Sequence, residues 1–257
     1  MSVKPASAAS DKAPARPARG EAAQALRAAK LALSRDHILD VAERVFADHG
    51  FAGTRMQDIA RDAGISLATL YQFYPGKTEL HHAVLVTRDQ EMLDTVMSKV
   101  QAVSIAEQPV IALMWLMKAN VAFLLNHPDY LRLILREGYL WYHAAAQPSQ
   151  DEQALWELGV AMIEQALDLG VQAGQIVAGK GRDQARMLMA LQQTRLANWV
   201  GDGMAEAPEA VITRIQTDFL RLFGRPAVVT AMVTADGTAL TEATKTELAR
   251  LDASLGA

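Results

Sequence analysis

Apolar residues recur along most of this chain at intervals of three and four, the spacing of one helix face, rather than alternating as strands do. Ile38, Val41, Ala42, Val45 and Phe46 form the first such stripe. Ser34 stands ahead of it as a predicted N-cap, and His49-Gly50 follows it, with glycine suited to the left-handed stop of a helix. A second, shorter stripe runs through Met56, Ile59, Ala60 and Ala63. Thr54 is placed to cap it, Gln57 three residues on completes a capping box, and Gly64 ends it. Ser66 opens a third helix with Leu70 and Phe73 or Tyr74 turned inward, broken by Pro75-Gly76. Three short helices joined by glycine turns predict a small bundle over residues 34–80.

From Lys77 onward the stripes lengthen. They predict helices over residues 77–101, 108–126, 128–145, 149–173, 181–202 and 208–224. The breaks fall at Pro109, His127-Pro128, Gln147-Pro148-Ser149, Gly174 to Gly181, and Gly201-Asp202-Gly203 before Pro208. Residues 227–233 are the only strand-like run, and Leu248, Leu251 and Leu255 mark one face of a possible last helix over 241–255. The expected fold is all-α. A flexible basic arm (1–33) precedes a three-helix domain (34–80), a larger helical domain (81–224) and a tail (225–257).

Composition narrows the chemistry. There is no cysteine, so disulfides and thiolate metal sites are excluded. Residues 1–20 lack the apolar core of an export signal, and no unbroken apolar run approaches the roughly 20 residues that span a bilayer. The expected location is the cytoplasm, with no membrane partner. The net charge of −4 is unevenly spread: Lys4, Lys12, Arg16, Arg19, Arg27 and Lys30 face only Asp11 and Glu21 in the first 33 residues. A basic arm on an acidic body suits nucleic acid, and suits a solvated tail equally well. The chain has no Gly-x-Ser-x-Gly elbow, phosphate-cradling glycine loop or His-Glu-x-x-His pair, and His81-His82 point to different helix faces. No catalytic residues, metal or cofactor are expected.

Residues 59–63, Gly64 and residues 66–74 read helix, turn, helix. A helix that enters the major groove needs small or polar residues at its start and donors at its flanks. Ser66, Leu67, Ala68 and Thr69 meet the first demand; Tyr71, Gln72 and Lys77 are placed for the second. The same spacing also describes a plain helical corner.

The run from Gly64 to Leu80, with Thr69-Leu70-Tyr71 and then Lys77 six residues later, resembles the recognition segment of the TetR family. Phe46, Gly50, Gly53-Thr54 and Ile59-Ala60 precede it at that family's intervals, so the resemblance covers roughly residues 34–80. It implies a homodimeric transcriptional repressor bound to a palindromic operator and released by a small-molecule effector. It also implies phosphate contacts at Thr54, Ser66, Tyr71 and Lys77, and base contacts at Leu67, Ala68, Thr69 and Gln72. Leu67 and Gln72-Phe73-Tyr74 depart from the family's usual residues, which bears on the operator sequence rather than the fold. An effector would tilt the helix starting at Lys77 and move the two recognition helices off their spacing of roughly 34–36 Å.

The larger domain holds all four tryptophans, Trp115, Trp141, Trp156 and Trp199. With Phe123, Tyr139, Tyr142, Met162 and Arg195 they are candidates for an apolar effector pocket, or simply for core. Leu188, Ile212, Ile215, Phe219 and Leu222 form a stripe expected to meet a second copy, with intramolecular packing as the alternative. Two other functions remain open at this point: a ligand-independent DNA-binding regulator or activator, and an all-helical enzyme.

Overall fold

A computed structural model describes residues 19–100, 107–136 and 150–255; the side chains of residues 19–32 and of Trp156 are among those outside the description. Among the described residues there are eleven helices and two isolated β-bridges, so the all-α expectation holds.

The first helix, α1, runs from Arg19 to Gly53 and is kinked at Gly50. It begins fifteen residues before the expected cap, Ser34, which lies inside it, and takes in the Ala/Leu-rich stretch from Glu21 to Leu33 whose composition suits a helix. The reason is local: residues 21–49 are rich in Ala, Leu, Arg and Lys and contain neither glycine nor proline, so nothing stops the helix from extending backward. Gly50 has φ 70° and ψ 167°, a left-handed conformation that ends the regular helix.

Two seven-residue helices follow, α2 (Met56–Asp62) and α3 (Leu67–Phe73). The capping box expected at α2 does not form. Arg55 is the N-cap residue and makes no capping bond, while the Thr54 hydroxyl donates back to the Gly50 carbonyl at 2.8 Å. At α3 the expected cap is present, with Ser66 Oγ accepting from the Thr69 N–H at 3.0 Å. Gly64, at φ 67°, makes the turn between them; a Cβ there would meet no neighbour within 4 Å, so conformation alone calls for glycine. Ile38, Val41, Ala42, Val45, Phe46, Ile59 and Leu70 close over this small core. The rings of Phe46, Phe51 and His81 meet at its edge.

Helix α4 (Lys77–Val100) leaves the bundle and enters the larger domain. There α5 (Pro109–Asn126) is the central rod, in contact with α4, α7 (Gln150–Gln172) and α9 (Pro208–Phe223). Its composition would let it cross a membrane, but two thirds of it is buried in protein, which accounts for the apolar run. Helices α6 (Pro128–Arg136) and α8 (Gly181–Gly201) complete the domain.

The tail is built into the fold. The strand-like run forms instead a short helix, α10 (Pro226–Met232), with proline in its first turn, where a missing N–H costs nothing. A turn closed by the Val233–Leu240 bridge leads to α11 (Glu242–Leu255), which covers α5 with Leu248 and Leu251. Asp252 of α11 accepts from the Trp115 indole at 2.7 Å and pairs with Lys118.

The stripe expected at a subunit interface divides. Leu188, Ile212, Ile215 and Phe219 are buried within the protomer, because α9 packs on α5 and α8, and α8 packs on α7 and α9. Leu222 is 61% exposed.

Candidate nucleic-acid interface and internal cavity

Helix α3 presents two distinct faces. Leu70 and Tyr74, four residues apart, are buried, which anchors the helix to the bundle. Ser66, Ala68, Tyr71 and Gln72 are exposed, with Leu67 and Thr69 half-buried beside them. The outward side therefore offers a small residue, two hydroxyls and one amide, the set that a groove-entering helix requires. Burial holds the Tyr74 phenol above its ordinary value, partly opposed by the Arg35 guanidinium, so it serves the interior as a neutral group.

Two expected phosphate contacts are turned inward. Thr54 is only 2% exposed. The Lys77 ammonium donates to the carbonyls of Phe51 (2.7 Å) and Thr54 (3.1 Å) and lies 4.5 Å above the Phe51 ring. Two of its three N–H groups thus tie the start of α4 to the connection between α1 and α2. Sequence spacing placed Lys77 correctly along the chain, but not its partners, which are 23 and 26 residues away. Arg55, exposed at the start of α2, was missed; its position directly after Thr54 at a helix start was the available signal. Arg61 contributes little free charge, since it pairs with both Asp58 and Asp62.

Three arginines fasten this bundle to the larger domain. Arg88 of α4 pairs with Glu43 (2.5 Å) and Asp40 (2.6 Å) of α1 and with Glu91. Burial pushes the Glu43 carboxyl up, and the Arg88 guanidinium opposes that rise. From α6, Arg132 pairs with Asp48, and Arg136 donates to the carbonyls of Ala47 and Asp48 at 3.1 and 2.6 Å. Arg136 also lies against Gly50, where a Cβ would come within 3.3 Å of its guanidinium.

A cavity of about 180 Å³ lies among α4, α5, α6, α7 and α8. Its wall is mostly Leu, Ile, Val and Met, interrupted by Asp89, Asn120, Tyr130, Gln192 and Gln193. The Tyr130 hydroxyl donates to the Asp89 carboxylate, and the Asn120 amide lies 3.1 Å from the Met92 sulfur. Of the residues expected at an effector site, Met162 is on this wall. Trp115 is held by Asp252, and Phe123 stacks on His127. Arg195 pairs with Asp218, and the Trp199 indole donates to the Glu206 carbonyl; these two border a separate recess of about 40 Å³. Tyr139, Trp141, Tyr142 and the Trp156 side chain lie outside the described residues. Asp89 and Tyr130 were missed, although Asp89 falls in register with the apolar stripe Met92, Leu93 and Val96, where a charged residue is unusual. Among the described residues no group of three or more His, Asp or Glu could hold a metal ion.

Residues 38–84 match the family of bacterial regulatory proteins described as the tetR family. That stretch is similar to the N-terminal module of TetR-type regulators. The chain is 29% identical over 134 residues to the HTH-type transcriptional repressor SCO4008 of Streptomyces coelicolor, covering 52% of this chain and 65% of that protein. It is 38% identical over 68 residues to the regulator MftR of Mycobacterium tuberculosis, covering 25% of this chain and 34% of that one. The chain thus spans between a third and just under two thirds of these relatives. A crystal structure of AibR with isovaleryl coenzyme A and operator DNA shares the fold, with TM-score 0.61 and 23% identity over 72% of this chain and 97% of that one. The TetR-family match and the exposed face of α3 lie in the same stretch of chain.

Proposed function

We propose that this protein is a cytoplasmic TetR-type transcriptional repressor that binds a palindromic operator as a homodimer and leaves it when a small, apolar effector enters the cavity. The outward face of α3 carries this reading: Ser66, Ala68, Tyr71 and Gln72 stand clear of the protein on a helix anchored by Leu70. Gln72 suits the N6 and N7 edge of adenine, and Ala68 or Leu67 the methyl of thymine. Ser66, Tyr71 and Arg55 would reach flanking phosphates and Thr69 a base edge, while Lys77 would act mainly by fixing the start of α4. Residues 34–80 hold five basic and seven acidic residues, so affinity should fall only modestly with salt. The operator and the coenzyme A ester bound by AibR support both halves of the reading.

The route from cavity to DNA runs through α4 and α6. Each turns one side to the cavity (Asp89 and Met92 on α4, Tyr130 and Ile134 on α6) and reaches α1 from the other, through Arg88, Arg132 and Arg136. A ligand that favours one setting of these two helices would shift α1, and with it α3, by population shift. A coupling of about 1–3 kcal/mol would relieve repression roughly 5- to 150-fold. For the second copy, Leu222 and the exposed Met187 on the outer sides of α9 and α8 replace the buried part of the expected stripe. The cavity weighs against a ligand-independent regulator, which would be expected to have a filled core.

Selection of bound sequences from random DNA tests the first half, with a palindrome expected to emerge. Tyr71→Ala and Gln72→Ala should each weaken binding to it at least tenfold. Enrichment of no sequence, or variants that bind as the wild type does, would end the proposal. An effector that saturates the cavity yet leaves operator affinity unchanged would end its second half.

A further inference from the structure

The cavity is apolar, yet α8 brings a buried amide to its wall. Gln192 is 7% exposed and falls in the apolar stripe of that helix, four residues from Leu188 and four from Leu196. Its carboxamide makes no hydrogen bond among the described residues. Neither of its polar atoms is sealed off in the protein, so what stays open of this residue faces the cavity. An amide taken out of water is costly to leave unpaired. Its partner therefore comes from whatever occupies the cavity. An occupant that displaces water from such a group without replacing its hydrogen bonds loses affinity.

Asn120 of α5 adds a second carboxamide to the wall. Its N–H points at the Met92 sulfur, a weak acceptor, and its oxygen accepts no hydrogen bond among the described residues. A carboxamide is uncharged and both donates and accepts, so it rewards a group that does the same. The surrounding thioethers of Met117, Met162 and Met189 suit an apolar or aromatic body. Size sets the scale: an engineered apolar cavity of about 150 Å³ holds benzene, and this one measures about 180 Å³. One ring with a short arm fills it, and a hydroxyl is the smallest ending that both donates and accepts.

We propose that the cavity selects a small hydrophobic alcohol, bound through its hydroxyl to the Gln192 carboxamide, over hydrocarbons of the same shape. This rests on the effector reading of the cavity but is tested by binding alone. Isothermal titration of the full chain, without DNA, compares 2-phenylethanol with propylbenzene, in which a methyl replaces the hydroxyl. Each affinity is referred to that probe's transfer from water to cyclohexane, a solvent that cannot hydrogen-bond. On this scale the wild type should favour the alcohol at least tenfold. Gln192→Leu should bring the two within about threefold by weakening the alcohol, with propylbenzene bound at least as tightly as before. Gln192→Met, unbranched and of similar length, should do the same. The wild-type comparison requires no variant, so it decides the matter even if neither variant folds. Equal referred affinities in the wild type, no binding by either probe, or a folded variant that keeps the tenfold preference would each overturn the proposal. Failure to find an operator would sink the repressor reading and leave this result standing. Release of the operator by propylbenzene, with no referred preference for the alcohol, would do the reverse.

Discussion

The N-terminal bundle and the helices around the cavity treat interior space in opposite ways. In the bundle, Ile38, Phe46, Ile59 and Leu70 are each 1% exposed or less and meet across short distances between α1, α2 and α3. Around the cavity five helices are held apart far enough to leave about 180 Å³ between them. The first arrangement suits a body that must present α3 rigidly. The second suits one that must accept something and respond to it, since packed helices shift between discrete settings more readily where a wall is incomplete. Between the two stand the arginines of α4 and α6, polar fasteners whose geometry couples the full region to the hollow one.

Truncation on each side should expose that contrast most strongly. Leu70→Ala should cost about 2–5 kcal/mol in a denaturant titration, because a fully enclosed site cannot collapse around the loss. Met162→Ala, on a wall that already borders space, should cost only about 1 kcal/mol. Equal costs would show the cavity to be as tightly supported as the bundle.

Removing the fastener comes next. Arg88→Met should cost roughly 3 kcal/mol by leaving the Glu43 carboxylate buried without its partner. The sign of the accompanying pH effect follows from Glu43, whose carboxyl is held above its ordinary value of 4.5. The native state therefore keeps that proton more readily than the unfolded chain. Its contribution is most favourable below pH 4.5 and declines as pH rises through the raised value. Stability of the Arg88→Met protein should accordingly recover as pH falls through the raised value of Glu43, and Glu43→Gln added to it should abolish that recovery.

Smaller effects test local design. Ser66→Ala should cost about 1 kcal/mol by removing the cap of α3, and should weaken DNA binding more than it weakens the fold. Asp252→Asn, at a half-exposed pair with Lys118, should change stability by about 0.5 kcal/mol or less. A larger loss would mean that α11 is a structural requirement for α5 rather than a cover on it.

What could be read along the chain was whatever is decided within a few residues. The stripe from Ile38 to Phe46, the Gly64 turn, the Ser66 cap and the breaks at Pro109, His127-Pro128 and Pro208 all appear where spacing and turn chemistry put them. Thr54 and Lys77 show where that reading stops. The Lys77 ammonium bonds to carbonyls 23 and 26 residues away, so it looked like a free donor until the fold brought them near; the Thr54 hydroxyl turns one turn back to Gly50 instead of forward to α2, and burial takes it off the surface. The aromatics behaved alike: periodicity says that Trp115 and Phe123 are on α5, but not which neighbour each one faces.

The amino-acid order alone settled that this is an all-helical protein, because helix periodicity, caps and glycine stops act over one or two turns; the TetR-type N-terminal module came from the resemblance of residues 34–80, not from periodicity. Tertiary structure decided the cavity, the inward turn of Lys77, the burial of Leu188 and Phe219, and the placing of Asp89 beside Tyr130. Each of these depends on several helices meeting at particular angles, and a pattern along one helix carries no information about the surface it will meet.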